Sequence, residues 1–170
     1  MKKQRNCKIL VAALIAVGVV LDQLTKQLAV KYLSGITTLP LWKDVLHLTY
    51  VENRGAAFGM LADNRWVFMI VSTIAIAALL GYFYFFVKNR TYLASTALGL
   101  IVSGGIGNMI DRVALGYVVD FVDFTLINFA VFNFADSCIC VGAGLLLLAV
   151  ILDPDTKKKR KEADADDASV

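Results

Sequence analysis

Charge is scarce in this sequence. Only 18% of its 170 residues are charged, whereas about 25% are charged in soluble domains. Hydrophobic residues account for 58%, and the mean hydropathy is +0.67. A soluble globule of this length must cover itself with polar side chains, and this chain has too few of them. The composition therefore excludes an ordinary cytosolic enzyme and a disordered chain.

Histidine and cysteine are also sparse. The chain has one histidine, His47, and three cysteines, Cys7, Cys138 and Cys140, whose spacing fits neither a disulfide framework nor a set of metal ligands. A single histidine inside a predicted strand gives little support to serine–histidine or zinc chemistry, so we expect no metal site and no cofactor. The net charge of +3 is too small to indicate nucleic-acid binding.

Long apolar runs are what the sequence does contain. A transmembrane helix needs about 20 residues, and four runs suffice for one each. The first run begins after a basic segment, as a signal peptide does, but no cleavage site with small residues follows it. We therefore predict an all-α membrane protein with a single integral membrane domain over residues 1–152 and helices at about 9–30, 66–87, 91–111 and 132–152.

The distribution of Lys and Arg predicts the orientation of these helices. Most of the 17 cations lie near the two termini and in the loop around residues 88–90, and cytoplasmic loops are the ones enriched in Lys and Arg. Both termini are therefore expected in the cytoplasm, and the segments of about 31–65 and 112–131 are expected outside. The charged tail, 153–170, is expected to be disordered on the cytoplasmic side.

Two outer stretches have the alternating pattern of β-strands. Residues 45–51 and 118–122 are rich in β-branched and aromatic side chains. A turn signature at residues 52–55 follows the first of them. We predict a small extracytoplasmic β-sheet at the outer membrane surface.

Acidic side chains meet at one depth in this predicted topology. Charges in or beside membrane spans indicate functional sites. Carboxylates crowded at low dielectric cannot all ionise, and two that share a proton can serve as general base and general acid. Aspartic proteases work in this way. At a rise of about 1.5 Å per helical residue, the carboxylates that fall just below the outer surface are Asp22, Asp111, Asp120, Asp123 and Asp136.

Two other interpretations fit these acidic residues. In a membrane scaffold they would pair with Lys26, Arg54 and Arg112 and hold the helices together. In a small proton- or ion-coupled transporter, ionisable groups would be spread through the membrane depth, whereas here they lie at one level. That distribution favours chemistry on a substrate arriving from the outer leaflet. The residues alone leave several partners open for Asp136.

Amide and guanidinium side chains accompany the acids. Asn53, Asn108 and Asn133 could bind a peptide backbone, orient a carboxylate or cap a helix. Arg112 either forms an ion pair with Asp111, which would keep Asp111 ionised and structural, or anchors the helix at the membrane interface, or clamps the carbonyl groups of a substrate.

Five motifs along the chain carry a family resemblance. They are Asp22-Gln23-Leu24-Thr25-Lys26, Asn53-Arg54-Gly55-Ala56-Ala57-Phe58-Gly59, Gly104-Gly105-Ile106-Gly107-Asn108-Met109-Ile110-Asp111-Arg112, Val118-Val119-Asp120-Phe121-Val122-Asp123-Phe124 and Phe132-Asn133-Phe134-Ala135-Asp136-Ser137. With these motifs in this order, the chain resembles the bacterial lipoprotein signal peptidases (signal peptidase II), a family of aspartic membrane peptidases.

The resemblance implies a multi-pass protein of the bacterial cytoplasmic membrane with its active site near the outer face. Such enzymes remove signal peptides from prolipoproteins by cutting before a cysteine that carries diacylglycerol. The expected partners are therefore diacylglyceryl-prolipoproteins, membrane lipids and inhibitors of the globomycin type, and we expect a monomer.

The resemblance also implies roles for single residues. By motif, the catalytic pair would be Asp120 and Asp136. The positions expected to shape or line the substrate site are Asp22, Lys26, Asn53, Gly55, Asn108, Asp111, Arg112 and Asn133.

Two further expectations concern the outer segments. Apolar neighbours flank Asp120 in the sequence, so burial should raise the pKa of its carboxyl. The outer strand segment around residues 45–60 is expected to hold the signal peptide by pairing along its edge.

Overall fold

The chain folds into four long helices and one small sheet. In this computed structural model, the described residues are 2–36, 38–55, 65–87 and 91–152. The predicted cytoplasmic tail, the loop at 88–90 and the last part of the second motif, residues 56–59, lie outside them.

Within the part of the chain that the structure describes, four helices are long and apolar enough to cross a membrane. α1 starts at Lys2 rather than at about residue 9, because its basic first residues are good helix formers. The four are α1 (Lys2–Leu33), α2 (Arg65–Gly81, continued by a π-helical turn at Tyr82–Phe86), α3 (Tyr92–Ala114) and α4 (Phe134–Leu152).

A three-stranded antiparallel sheet completes the fold. Its strands are β1 (Leu39–Trp42), β2 (Leu46–Asn53) and β3 (Val118–Asp123), in the order β1-β2-β3. β1 was not predicted, because it is short and contains Pro40, a residue that sheets tolerate only at an edge. The four helices and the small sheet confirm the predicted fold class.

β3 is held between α1 and the segment that leads into α4. Val119 is buried against Ala29 and Leu33 in the last turns of α1. On the edge of β3 away from β2, the backbone N–H of Phe132 donates to the carbonyl of Val122 at 3.0 Å. The strand is thereby fixed at the end of the helix bundle where α4 begins.

α3 is the central helix of the bundle. It packs against α1 and α4, and 50% of its most apolar stretch is buried, against 6% for α2. Gly107 of α3 faces the side chain of Asp22, and Gly142 of α4 faces the backbone of Ala97. Since glycine has no Cβ, α3 approaches both neighbouring helices closely.

Adding a methyl group at Gly142 should weaken the contact between α3 and α4. A Cβ there would lie 2.8 Å from the carbonyl oxygen of Ala97 and 2.8 Å from Cγ1 of Ile101, so the helices would have to separate. We expect Gly142→Ala to cost about 1–3 kcal/mol and to lower the melting temperature in detergent. Gly144→Ala is the matched control on the same helix, because a Cβ at Gly144 meets no described atom within 4 Å. Equal melting temperatures for the two variants would contradict this packing.

Candidate active site

Asp120 lies in the middle of β3 with 1% of its surface exposed. Its Oδ1 accepts a hydrogen bond from the side-chain amide of Asn133 at 2.6 Å, and its Oδ2 accepts one from Asn53 at 2.8 Å. Burial raises the pKa of the Asp120 carboxyl to about 6, against the lowering effect of the two amides, and the charge of Asp136 adds to the rise. The predicted effect of burial is confirmed, and this carboxyl can hold a proton close to neutral pH.

Asp136 lies in the first turn of α4 and takes part in a capping box. The backbone N–H of Asp136 donates to Oδ1 of Asn133 at 3.0 Å, and the backbone N–H of Asn133 donates to Oδ2 of Asp136 at 3.1 Å. This reciprocal pair satisfies two N–H groups at the start of the helix. Oδ1 of Asp136 accepts a further hydrogen bond from the amide of Asn108 at 2.8 Å.

Asn133 donates to both carboxyls, to Asp120 through its side-chain amide and to Asp136 through its backbone N–H. Its side chain is fully buried. Its oxygen caps α4 at Asp136, while its nitrogen donates to Asp120 and, at 3.1 Å, to Oδ1 of Asn108. Asp120 and Asp136 belong to different elements, and one residue donates hydrogen bonds to both carboxyls.

A buried lysine of α1 lies next to this pair. Lys26, 3% exposed, forms ion pairs with Asp22 at 2.9 Å and with Asp111 at 3.1 Å, and it donates to Oδ1 of Asn108 at 2.9 Å. Asp111 therefore pairs with Lys26 rather than with the adjacent Arg112, which corrects the expectation from the sequence. Consecutive residues of a helix point in different directions, so neighbours in sequence seldom face each other.

Asp22 and Asp111 also anchor backbone outside their own helices. Oδ1 of Asp22 accepts a hydrogen bond from the N–H of Ala135 at 3.0 Å, and Oδ2 of Asp111 accepts one from the N–H of Val119 at 3.0 Å. Ala135 directly precedes Asp136 on α4, and Val119 directly precedes Asp120 on β3. The ion pairs of Lys26 thus fix the backbone beside both carboxyls.

Arg112 fixes the turn that follows β2. Its guanidinium donates to the backbone carbonyls of Asn108 at 3.3 Å and Gly55 at 3.4 Å, and it lies over the ring of Phe68, 5.1 Å from the ring centroid. The N–H of Gly55 donates to Oδ1 of Asn53 at 2.9 Å. The same turn therefore orients the Asn53 amide that donates to the carboxyl on β3.

Gln23 belongs to this site although sequence reasoning gave it no role. Its Nε2 donates to Oδ1 of Asp111 at 3.0 Å, to Oδ2 of Asp22 at 3.2 Å and to the carbonyl of Gly107 at 3.3 Å. Its position inside the first motif, between Asp22 and Lys26, was the signal in the sequence that could have identified it as a site residue. The buried polar network consists of the side chains of Asp22, Gln23, Lys26, Asn53, Asn108, Asp111, Asp120, Asn133 and Asp136.

Asp123, the fifth acid expected at this level, lies apart from the buried polar network. Oδ2 of Asp123 accepts a hydrogen bond from the hydroxyl of Thr49 at 2.9 Å, and its backbone pairs with His47 across the β2–β3 ladder. The structure therefore brings four of the five carboxylates into the buried polar network. Asp123 lies three residues after Asp120, so its side chain leaves the opposite face of β3.

The ion pairs explain only part of the acidic cluster. Arg54 pairs with Glu52 at 3.5 Å on the exposed surface, where such pairs contribute little stability. Among the described residues, no ion pair involves Asp120 or Asp136. Within the same residues, no three His, Cys, Asp or Glu side chains are grouped to hold a metal ion. Within the described residues, these two carboxyls are therefore held by hydrogen bonds from amide groups rather than by ion pairs.

Replacing Asp111 by asparagine should destabilise the fold. The variant leaves the Lys26 ammonium with one carboxylate instead of two, and breaking a buried pair costs about 3 kcal/mol. We expect a clear drop in yield and melting temperature. Arg54→Gln, which removes only the exposed pair with Glu52, should melt like the wild type. Loss of turnover in Asp111→Asn with unchanged melting would contradict a structural role.

Known proteins with a matching sequence are lipoprotein signal peptidases. A family model described as signal peptidase (SPase) II matches residues 14–152. The lipoprotein signal peptidase of Caldanaerobacter subterraneus is 52% identical over 133 residues, which cover 78% of this chain and 90% of that protein. That of Brevibacillus brevis is 46% identical over 138 residues, covering 81% of this chain and 92% of the relative.

Two solved structures of bacterial membrane enzymes, both determined by the in meso method, share the fold. Each has a TM-score of 0.73, with sequence identities of 30% and 32%. The matches cover 83% and 84% of this chain and 87% and 93% of those chains. The resemblance predicted from the five motifs is confirmed, and the chain belongs to the signal peptidase II family.

Proposed function

We propose that this protein is an aspartic endopeptidase that removes signal peptides from diacylglyceryl-modified prolipoproteins by cleaving before the lipidated cysteine. As a member of its family, it is a multi-pass membrane hydrolase that cleaves lipoprotein signal peptides. In the proposal, Asp120 and Asp136 form the catalytic dyad. The observation that carries the aspartic type is that Asn133 donates to both carboxyls, through its side-chain amide to Asp120 and through its backbone N–H to Asp136.

Two neighbouring carboxyls are sufficient for peptide hydrolysis. A water molecule between them gives a proton to the ionised carboxylate, and its oxygen bonds to the carbonyl carbon of the scissile peptide. The protonated carboxyl donates its proton to the carbonyl oxygen, on which negative charge would otherwise develop. The proton taken from water then passes to the amide nitrogen as the C–N bond breaks.

The other predicted site residues support this dyad. Amide side chains donate to the two carboxyls, the ion-paired residues hold the backbone beside them, and the guanidinium fixes the turn after β2. The amide side chains are those of Asn53, Asn108 and Asn133. The ion-paired residues are Asp22, Lys26 and Asp111. The guanidinium is that of Arg112, which bonds to Gly55 in the turn.

The orientation that we propose puts both termini in the cytoplasm and the sheet at the outer face of the bacterial cytoplasmic membrane. The cations at the start of α1 support it, because cytoplasmic ends are enriched in Lys and Arg. Residues 1–152 would form one membrane domain, and residues 153–170 a cytoplasmic tail. The dyad then lies near the outer face, where the diacylglyceryl chains of the substrate stay in lipid and fix the depth of the scissile bond.

Further partners follow from the same proposal. Membrane lipids surround the helices. Inhibitors of the globomycin type are expected to compete with the substrate for the site. The protein is expected to act as a monomer. The transporter and scaffold alternatives are not favoured, since the charged residues of α3 and α4 all lie in the outer turns of these helices.

A part of the sheet edge is suited to the signal peptide. β2 is the central strand, and β1 pairs with it only along Leu46–Leu48. Beyond Leu48, the same edge of β2 has no paired strand among the described residues. An extended peptide could pair with β2 there, as an additional strand held by backbone hydrogen bonds. Within the expected segment around residues 45–60, we therefore propose the second half of β2 as the part that pairs with the signal peptide.

Replacing either dyad residue by asparagine should abolish cleavage. Asp120→Asn and Asp136→Asn remove an acid while keeping the shape of the side chain, so we expect turnover to fall by about 10³-fold or more in a protein that stays folded. The measurement is cleavage of a synthetic peptide with a diacylglyceryl-cysteine by the full chain in detergent, with melting temperatures recorded in parallel.

Asp123→Asn is the matched control for these variants. Asp123 lies on the same strand as Asp120 but bonds to Thr49 outside the buried polar network, so its variant should turn over near the wild-type rate. A rate near wild type in Asp120→Asn or Asp136→Asn would remove that residue from the dyad.

Cleavage should decline as the pH rises through the value at which the dyad loses its shared proton. Burial raises the pKa of Asp120 to about 6, and kcat/KM reports the ionisations of the free enzyme. Because the active form carries one proton and a rising pH removes it, kcat/KM should fall with a midpoint at about pH 6. The Asp123→Asn control should give the same profile. A constant kcat/KM between about pH 5 and 8 would contradict a shared proton.

A further inference from the structure

The two dyad carboxyls have equal numbers of hydrogen-bond donors. Asp120 accepts from the amides of Asn53 and Asn133, and Asp136 accepts from the amide of Asn108 and the backbone N–H of Asn133. Since donors stabilise an ionised carboxylate in both cases, their number does not decide which residue keeps the proton. The decision must come from the surroundings.

Two features of the surroundings favour an ionised Asp136. Asp136 lies in the first turn of α4, where the positive end of the helix dipole stabilises a negative charge. Asp136 is half-buried, whereas Asp120 is 1% exposed, and a charge costs more where less water reaches it.

The orientation of the Asn108 amide also favours an ionised Asp136. The oxygen of this amide accepts hydrogen bonds from Lys26 at 2.9 Å and from Asn133 at 3.1 Å. An ammonium group can only donate, so Lys26 holds this oxygen on its own side and leaves the NH₂ group to face Asp136 at 2.8 Å. A flipped amide would present its oxygen to Asp136 and would favour the protonated acid instead.

Lys26 also strengthens this hydrogen bond. A cation on the oxygen of an amide polarises the group and makes its N–H a better donor in a buried network. All three N–H groups of the Lys26 ammonium are engaged, two by carboxylates and the third by Asn108. The third contact satisfies the last N–H of the buried ammonium, and it also fixes which way the amide of Asn108 faces.

We propose that Lys26 is a positioning residue for the reaction: through the amide of Asn108 it keeps Asp136 ionised, so that Asp136 is the general base and Asp120 carries the proton of the dyad. This inference rests on the proposed function and deepens it. Asp136 takes a proton from water as the water oxygen bonds to the carbonyl carbon, and Asp120 gives its proton to the carbonyl oxygen. As the C–N bond breaks, Asp136 passes its proton to the nitrogen, and Asp120 recovers one from the hydroxyl.

Infrared spectroscopy can locate the proton without using activity. Difference spectra of the full chain in lipid nanodiscs between about pH 5 and 8 exclude the exposed carboxyls, which stay ionised in that range. We expect the wild type to lose a neutral-carboxyl band as the pH rises. The band should be missing in Asp120→Asn and present in Asp136→Asn. The opposite pattern would overturn the assignment.

The role of Lys26 is tested in the Asp120→Asn background, where Asp136 is the remaining acid of the dyad. Adding Asn108→Leu, which keeps both ion pairs of Lys26, should create a neutral-carboxyl band that the single variant lacks, because Asp136 has lost its polarised donor. Adding Gly142→Ala instead should create none, since Gly142 lies away from the buried polar network. Failure of a band to appear with Asn108→Leu would overturn the proposal.

Kinetics on otherwise wild-type protein provide the second readout. Lys26→Met leaves two buried carboxylates unpaired and destabilises the protein, so Asn108→Leu, which keeps both ion pairs, is the decisive variant. We expect its kcat to fall by about 10- to 100-fold, the worth of one hydrogen bond to a charged group, with KM little changed. On the acidic limb of its pH profile, where protonation of the general base lowers kcat, the midpoint should move to higher pH.

Gly142→Ala separates these effects from simple loss of stability. It should lower the melting temperature but leave kcat and the position of the acidic limb unchanged. A fall in the kcat of Asn108→Leu without a shift of the limb would mean a purely structural role and would overturn the inference.

The outcomes separate this inference from the proposed function. If Asp120→Asn or Asp136→Asn still cleaves, the dyad itself is wrong and the inference falls with it. If both are inactive and the infrared bands are reversed, the peptidase mechanism stands and only the assignment of the proton fails.

Discussion

The fold of the site depends on one buried cation. The Lys26 ammonium is 3% exposed and would be very costly to bury alone, but two carboxylates and an amide oxygen satisfy it. Through Asp22 and Asp111 its influence reaches the backbone of α4 and of β3. Elements that are far apart in the chain therefore take their relative positions from a single residue of α1.

The buried polar network keeps this cation away from the dyad. Neutral amides stand between Lys26 and both dyad carboxyls, which therefore receive hydrogen bonds but no ion pair among the described residues. A lysine paired directly with Asp120 would favour its ionised form. With amides in between, burial can dominate, and the pKa of Asp120 rises to about 6. The network thus supplies rigidity without removing the proton that the chemistry needs.

Patterns that act over one segment were readable from the sequence, whereas contacts between segments were not. Hydropathy predicted the four spans, and alternation predicted β2 and β3. Composition could not predict β1, whose Pro40 is atypical of strands, or the pairing of Asp111 with Lys26 instead of Arg112. The depth argument placed Asp123 with the other acids because it ignored which way a side chain leaves a strand. The motifs selected Asp120 and Asp136, but only the structure revealed that Asn133 donates hydrogen bonds to both carboxyls.

The position of the dyad matches the substrate that we propose. A diacylglyceryl-cysteine stays anchored in lipid, so the peptide bond before it can lie only near the membrane boundary. Asp136 stands in the first turn of a spanning helix, and Asp120 lies on β3, to which the segment before α4 is bonded. In the orientation that we propose, this joint lies at the outer face. A site made at such a joint can receive the signal peptide from the bilayer and water from the outer side. If both acids lay deeper within the helices, the lipid-anchored chain would reach them but water would not. If both lay on the sheet, water would reach them but the lipid-anchored chain would not.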